Sequence, residues 1–297
     1  MAATHGRAFW ILDDLTPLRQ AAADMADITL YAPQRAVRLF YPEQVDSRHP
    51  VGQNPPAGAL IDYVFKVAPK GEVSIDILGA DGKVLRHMSS AKTNKQVQPQ
   101  EWPDQIVASD LIPAKAGMNR LVWDLRMDDP VQIPGAVYSD QAPRGPIVAP
   151  GTYTVRLTAG GESRTAPIIV FADPRVAASG PAIAAKTAMA VTAWADIDAL
   201  HRAVNRIRDR RKALKAAGKT NGKLDGRLAA VEERLMQVNM NGSEANLAFP
   251  GMLNEQYASF AETLEDADTL PTRQQQALFD SLHGQLRIQL GRLAEIK

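Results

Sequence analysis

Two carboxylate pairs, Asp13-Asp14 and Asp128-Asp129, are the first residues in this chain whose types and spacing bear on catalysis. A glycosidase needs two carboxyl groups about 5 to 9.5 Å apart, one as acid and the other as base or nucleophile. Adjacent acids in a strand point to opposite faces, so neither pair offers that geometry, and both read as strand ends facing water. Asp198 and His201 stand three residues apart in a helical stretch, and carboxylate with imidazole suits zinc or another divalent ion. Two ligands do not make a site. His5, His49, His87 and His283 are scattered and no H-E-x-x-H spacing occurs, so the pair reads as a helix face, with no metal or cofactor expected.

Arg206, Arg208, Arg210, Arg211, Lys212 and Lys215 form a dense basic run. Phosphate binding is the active reading of such a run. Its charges are spread around the helix, Asp209, Glu232 and Glu233 accompany it, and no aromatics are interleaved for base stacking, so no nucleic-acid partner is expected. Trp123 and Tyr153 sit in apolar alternation and read as core. Trp102 and Tyr138 fall in loops, where an aromatic face can stack on a sugar ring, and they are the candidate ligand contacts. Neither a Gly-rich phosphate loop nor a G-x-S-x-G elbow occurs, and no catalytic residue is assigned.

The elements that carry these residues change character along the chain. Arg7 to Leu12 is a short β-forming run stopped by Asp13, Asp14 and Thr16-Pro17. With no partner strand expected until about residue 35, Phe9, Trp10, Ile11 and Leu12 read as a strand that seeks an outside sheet edge, as if the chain began inside something larger. Ala59 to Val67 and Val73 to Leu78 alternate, and Ala80-Asp81-Gly82-Lys83 turns into Val84-Leu85. Further strands are expected at Asn119 to Leu125, Gly151 to Thr158 and Thr165 to Phe171, the last two joined through Gly160-Gly161. Between them lies a Pro-rich loop from Asp128 to Pro150. Several short strands of this kind suggest an immunoglobulin-like or fibronectin III-like antiparallel β-sandwich.

After Asp173-Pro174 the period lengthens to that of a helix. Ile197, Leu200, Val204, Ile207 and Leu214 share a face, and Gly218 to Gly222 breaks it. Leu224, Leu228, Val231, Leu235 and Val238 form a second seam, Leu253, Tyr257, Phe260 and Leu264 a third, and Phe279, Leu282, Leu286 and Leu293 a fourth. Four helices with short connections predict an antiparallel four-helix bundle. The expected layout is 1–45 as a propeller strand and linker, 46–173 as the sandwich and 174–297 as the bundle.

Composition narrows the function classes without choosing one. Lys plus Arg number 34 against 33 Asp plus Glu, so no global field steers the chain to nucleic acid or an anionic membrane. There is no cysteine, which removes disulfides, thiolate metal sites and cysteine nucleophiles. The segment Met1-Ala2-Ala3-Thr4-His5-Gly6-Arg7 has neither a basic start nor an apolar core, and no apolar run approaches the roughly 18 residues of a spanning helix.

Three stretches together resemble a known family. Ala3-Thr4-His5-Gly6-Arg7-Ala8-Phe9-Trp10-Ile11-Leu12-Asp13-Asp14 is similar to the closing propeller strand of bacterial sortilin-like, BNR-repeat proteins often labelled glycosyl hydrolases. Gly52-Gln53-Asn54-Pro55-Pro56-Ala57-Gly58-Ala59, Asn119-Arg120-Leu121-Val122-Trp123-Asp124-Leu125-Arg126 and Ala149-Pro150-Gly151-Thr152-Tyr153-Thr154-Val155 resemble the sandwich that follows that propeller. Ala203-Val204-Asn205-Arg206-Ile207-Arg208-Asp209 resembles its helical tail. The chain carries no Ser-x-Asp-x-Gly-x-Thr-Trp repeat, so the resemblance implies a non-catalytic accessory module. Its partner would be a propeller encoded upstream or in another chain, and the full-length protein would be periplasmic or secreted. A carbohydrate- or protein-binding module is the alternative expectation, and part of a glycoside hydrolase whose catalytic propeller lies elsewhere is the third.

Overall fold

The computed structural model describes residues 2–3, 9–10, 14–22, 25–39, 58–91, 111–220 and 222–296. The chain divides into two compact units, Met1–Arg126 with Ala149–Val176, and Met127–Val148 with Ala177–Lys297. The first holds the sheets and the second the long helices, so a β plus α multidomain architecture is what the chain forms.

In the sheet unit, β1 (Ala2–Ala3) and β2 (Phe9–Trp10) pair antiparallel, Ala2 opposite Trp10 and Ala3 opposite Phe9. A short helix α1 (Thr16–Gln20) follows. A three-stranded antiparallel sheet runs in the order β3 (Ile28–Leu30), β5 (Ala59–Phe65), β8 (Gly117–Trp123). A five-stranded sheet runs in the order β4 (Ala36–Arg38), β10 (Glu162–Ala172), β9 (Gly151–Ala159), β6 (Val73–Leu78), β7 (Val84–Ser89). Among the described strands every pairing is antiparallel except β4 on β10.

The alternation in the sequence explains the buried face. Val73, Ile75 and Ile77 of β6, Val155 and Leu157 of β9, and Ile168 and Val170 of β10 are all buried. The register sets Ile75 opposite Leu157 and Ile77 opposite Val155, so these side chains project from the same side of the pleat. Gly160 and Gly161, both at positive φ, make the two-residue turn between β9 and β10, where a side chain would be strained.

Two features of the sheet unit differ from expectation. Ile28–Leu30 and Ala36–Arg38 are strands of the two larger sheets, although residues 1–45 read as a propeller strand and linker. Strands of three residues are too short to show alternation, which is why the sequence pattern passes over them. The run expected to pair outside the chain finds a partner inside it over Phe9–Trp10, which removes the unpaired backbone of those two residues as a reason to expect a larger sheet. Ile11 and Leu12 lie outside the described residues.

The helical unit contains α2 (Gly180–Ala216), α3 (Lys223–Leu235), α4 (Leu253–Glu265) and α5 (Arg273–Ala294). Ser179 caps α2 by accepting the Ala182 amide, and Gly218 at φ +67 follows its end. Thr272 and Gln275 form a reciprocal capping box on α5. The seams meet in one core: Ile197, Leu200, Val204 and Ile207 with Leu228 and Val231, Tyr257 and Phe260, Leu282 and Leu286. At about 1.5 to 3 kcal/mol for each large apolar side chain removed from water, this burial is the main force holding the four helices. Val238, expected to continue the α3 seam, lies past the helix end and is exposed.

The Pro-rich segment expected within the sandwich belongs instead to the helical unit. Met127–Val148 packs with the helices, and its Ile133, Ala136 and Tyr138 are part of the helical core.

Candidate functional site

Beside the buried stripe of α2 runs a polar one. Asp198, His201, Asn205 and Arg208 follow at spacings of three, four and three, which places them on one helix face. All four bind the backbone of 127–148, here called the strap. Asp198 Oδ1 accepts the Val131 amide at 2.9 Å, and His201 Nδ1 lies 2.5 Å from the Val131 carbonyl oxygen. Asn205 donates to the Gln132 carbonyl at 2.9 Å and Arg208 to the Pro134 carbonyl at 3.0 Å. From α4, Glu255 accepts the Ser139 amide and Glu265 that of Ile147. The strap also closes on itself, Gly145 donating to Asp129 and Met127 to the Pro146 carbonyl. A proline-rich segment cannot build a ladder of its own, so its remaining backbone groups take partners from the helices.

His201 is fully buried, and burial holds its pKa below the usual 6.5. A carbonyl can only accept, so the proton sits on Nδ1 and points at Val131; Nε2 then accepts the hydroxyl of Tyr138 at 3.0 Å. Tyr138 is itself buried, and its phenol pKa is raised by the same loss of water. The pair is a neutral hydrogen-bonded chain between α2 and the strap.

A second cluster ties three helices together. The Asp196 carboxylate of α2 accepts the Tyr257 hydroxyl of α4 at 2.8 Å and meets His283 Nδ1 of α5 at 2.7 Å. Burial, followed by the neighbouring carboxylate, raises the Tyr257 pKa. His283 stacks at a tilt on Phe279 and is partly exposed, and its Nε2 has no partner among the described residues. A carboxylate and an imidazole so placed form the base half of a nucleophilic triad. No hydroxyl is hydrogen-bonded to Nε2 among the described residues, so what the cluster does as arranged is join α2, α4 and α5.

Arg208, Arg210 and Arg211 of the basic run are spent inside the unit. Glu232, buried on α3, receives Arg208 at 2.8 Å and Arg211 at 2.7 Å, and Arg211 also reaches the buried Asp225. Arg210 donates to the Ile296 carbonyl. The two sheets carry comparable pairs. Asp76 of β6 binds Arg156 of β9 and His87 of β7 across adjacent strands, and Asp62 of β5 holds Arg120 of β8 through two hydrogen bonds.

A corner at the end of β8 gathers the aromatics. Trp123 packs edge-on against Tyr153 with ring centres 5.9 Å apart, and its indole N–H donates to the Arg126 carbonyl. The Tyr153 hydroxyl donates to the Ala149 carbonyl at 2.6 Å. Leu125 adopts φ 61, a left-handed conformation unfavourable to a branched side chain. An Asp124 carboxylate accepting the Arg126 amide fixes the turn.

The residues singled out from the sequence are therefore distributed as follows. Asp13, His5, His49 and Trp102 lie outside the described residues. Asp14 is buried and accepts the Thr16 amide, and Asp129 holds the strap closed by accepting the Gly145 amide. Tyr138 is not an exposed ligand contact: the loop that carries it is folded onto α2 and the ring is core. Asp198 and His201 do share a face, as their spacing predicts, but they grip opposite ends of one peptide residue, Val131. Among the described residues no three His, Asp or Glu side chains are grouped to hold a metal ion, and no helix is long and apolar enough to cross a membrane. Asp196 was not marked by any sequence motif, Tyr257 was marked only as a seam residue, and Asn205 and Arg208 only as parts of the helical stretch and the basic run; the polar stripe beside an apolar one was the signal available for their role on the strap. No family model matches this chain, and no curated protein matches it.

Proposed function

We propose that this chain is a non-catalytic accessory module of a sortilin-like, BNR-repeat propeller protein, in which an immunoglobulin-like sandwich and an antiparallel four-helix bundle support or assemble the propeller. The observation that carries the reading is where the resembling residues go. Trp123 and Tyr153, from two of the similar stretches, pack on each other, and Gly58, from a third, lies so close to Trp123 that a Cβ there would stand 2.1 Å from its carbonyl oxygen. Asn205 and Arg208, from the helical stretch, hold the strap. These residues make internal joints, which suits a part whose task is to keep a shape.

The sandwich reading is supported by contacts between the sheets, β10 with β3 and β4 with β5, and by the burial of β5 along its whole length. The bundle reading is supported by the single core shared by α2, α3, α4 and α5.

The test begins with the genomic segment upstream of the coding region, read for Ser-x-Asp-x-Gly-x-Thr-Trp repeats. A propeller found there is co-expressed with this chain under a tag on one of them. Co-purification in a fixed ratio, with a higher unfolding temperature for the propeller, is the expected outcome. Hydrolysis of a glycoside by this chain alone, or failure of the propeller to associate, would sink the proposal.

A further inference from the structure

The connection from α3 to α4 carries Asn241 followed by Gly242, outside any helix or strand, and Asn241 is exposed. Gly242 is extended, at φ −167 and ψ 162, and leads into a short 3-10 helix, Ser243–Leu247. A Cβ built on Gly242 would meet open space, so the fold itself does not require glycine there.

Asparagine is a thermolabile residue. Its weakness is intramolecular: the amide nitrogen of the next residue attacks the side-chain carbonyl carbon and closes a succinimide ring. A Cβ on that next residue crowds the approach, and glycine has none. Regular structure also opposes the step, because it holds the amide in a hydrogen bond and fixes the backbone angles. The other asparagines of this connection differ in one or both respects. Asn239 is as exposed but precedes Met240, and Asn246 precedes Leu247 inside the 3-10 helix. Asn254 is buried on α4. The second Asn-Gly pair of the sequence is Asn221-Gly222, whose asparagine lies outside the described residues.

We propose that Asn241 is a site of spontaneous deamidation and isoaspartate formation, with the Gly242 amide as nucleophile and water as co-reactant. The Gly242 nitrogen gives its proton to hydroxide and bonds to Cγ of Asn241. The Cγ–Nδ2 bond breaks, and the leaving nitrogen takes a proton from water and departs as ammonia. Water then adds to one ring carbonyl. Opening at Cγ gives aspartate; opening at the backbone carbonyl gives isoaspartate, whose main chain is longer by one carbon. Nothing is oxidised or reduced. Either product adds a negative charge just before the 3-10 helix, whose first turn already holds Glu244. The site is independent of the accessory reading, and its failure would leave that reading unaffected.

The full chain is aged in mildly alkaline buffer, sampled over days and digested with trypsin. Cleavage after Arg234 and Arg273 releases 235–273, one peptide that holds Asn239, Asn241, Asn246 and Asn254 and excludes Asn221. Mass spectrometry with fragmentation assigns each conversion, and isoaspartyl methyltransferase counts the isoaspartate. Conversion at Asn241 should outpace that at Asn239 and Asn246 by at least an order of magnitude and quicken as hydroxide rises. Because the fold leaves the pair open, the folded chain should convert within a few-fold of the rate in guanidinium. Gly242→Val, which an extended backbone in open space accommodates, should slow conversion at Asn241 by at least an order of magnitude with the unfolding midpoint unchanged. The proposal is overturned if Asn239 or Asn246 converts as fast as Asn241, if Gly242→Val converts at the wild-type rate, or if folding protects Asn241 strongly.

Discussion

The Tyr138 hydroxyl lies 3.0 Å from His201 Nε2 across 63 residues of sequence, with both rings buried. Because Val131 takes the proton on Nδ1, the imidazole can serve the tyrosine as an acceptor only while it is neutral.

The pH dependence of stability follows from that pair. Burial lowers the His201 pKa below its unfolded value of 6.5, so between the two values the unfolded chain binds more protons and stability rises with pH. The full contribution of His201 is present above about pH 6.5 and is lost as pH falls through the folded value. Urea midpoints measured at about pH 7.5 and about pH 5 should drop for the wild type. His201→Gln should begin lower and show a shallower drop; an equal slope would mean that another group governs the effect.

Asp198 anchors the strap at the Val131 amide. Asp198→Ala should therefore speed hydrogen exchange at Val131 while leaving the α5 amides protected. Unchanged exchange at Val131 would show that the His201 contact alone holds that end.

Glu232 stands buried between two arginines, so neutralising it leaves both without that countercharge. Glu232→Gln is expected to cost about 2 kcal/mol, below the usual range for a fully buried pair because both arginines are partly exposed. Lys83→Ala, which removes an exposed pair with Asp81, should leave the unfolding midpoint where it was. Comparable losses in the two variants would contradict the role given to burial.

Gly58 and Gly71 separate backbone strain from collision. Both have positive φ, but a Cβ at Gly71 meets open space, whereas at Gly58 it meets the Trp123 carbonyl at 2.1 Å. Gly71→Ala should cost about 1 to 2 kcal/mol from strain, and Gly58→Ala distinctly more. Thermal melts of the two variants decide this, and equal melting temperatures would show that the chain beside Trp123 yields.

Long periodic segments were legible in the sequence and short or aperiodic ones were not. Val73 to Leu78 alternates over six residues and forms β6 at those limits, and the Ile197 to Ile207 spacing reports the buried face of α2. Ile28–Leu30 and Ala36–Arg38 are held by pairing with distant strands, information that a three-residue window does not contain. Tyr138 reads as exposed because prolines surround it, yet its burial is decided by α2, some sixty residues later. The clearest local hint was a histidine beside an apolar stripe, and its meaning depended on the strap that covers it.

The strap also orders events in time. Val131 leaves the ribosome 67 residues before Asp198, its anchor, which at about 5–20 residues per second leaves it uncovered for several seconds. Ile133 and Tyr138 are open to chaperones or to neighbouring chains during that interval. The same interruption constrains dissection of the gene: the chain passes between its units at 126/127, 148/149 and 176/177, so no single cut yields either unit whole. A helical fragment starting at Ala177 would present bare Asp198, His201, Asn205 and Arg208, and would need residues 127–148 supplied as a separate peptide or by circular permutation.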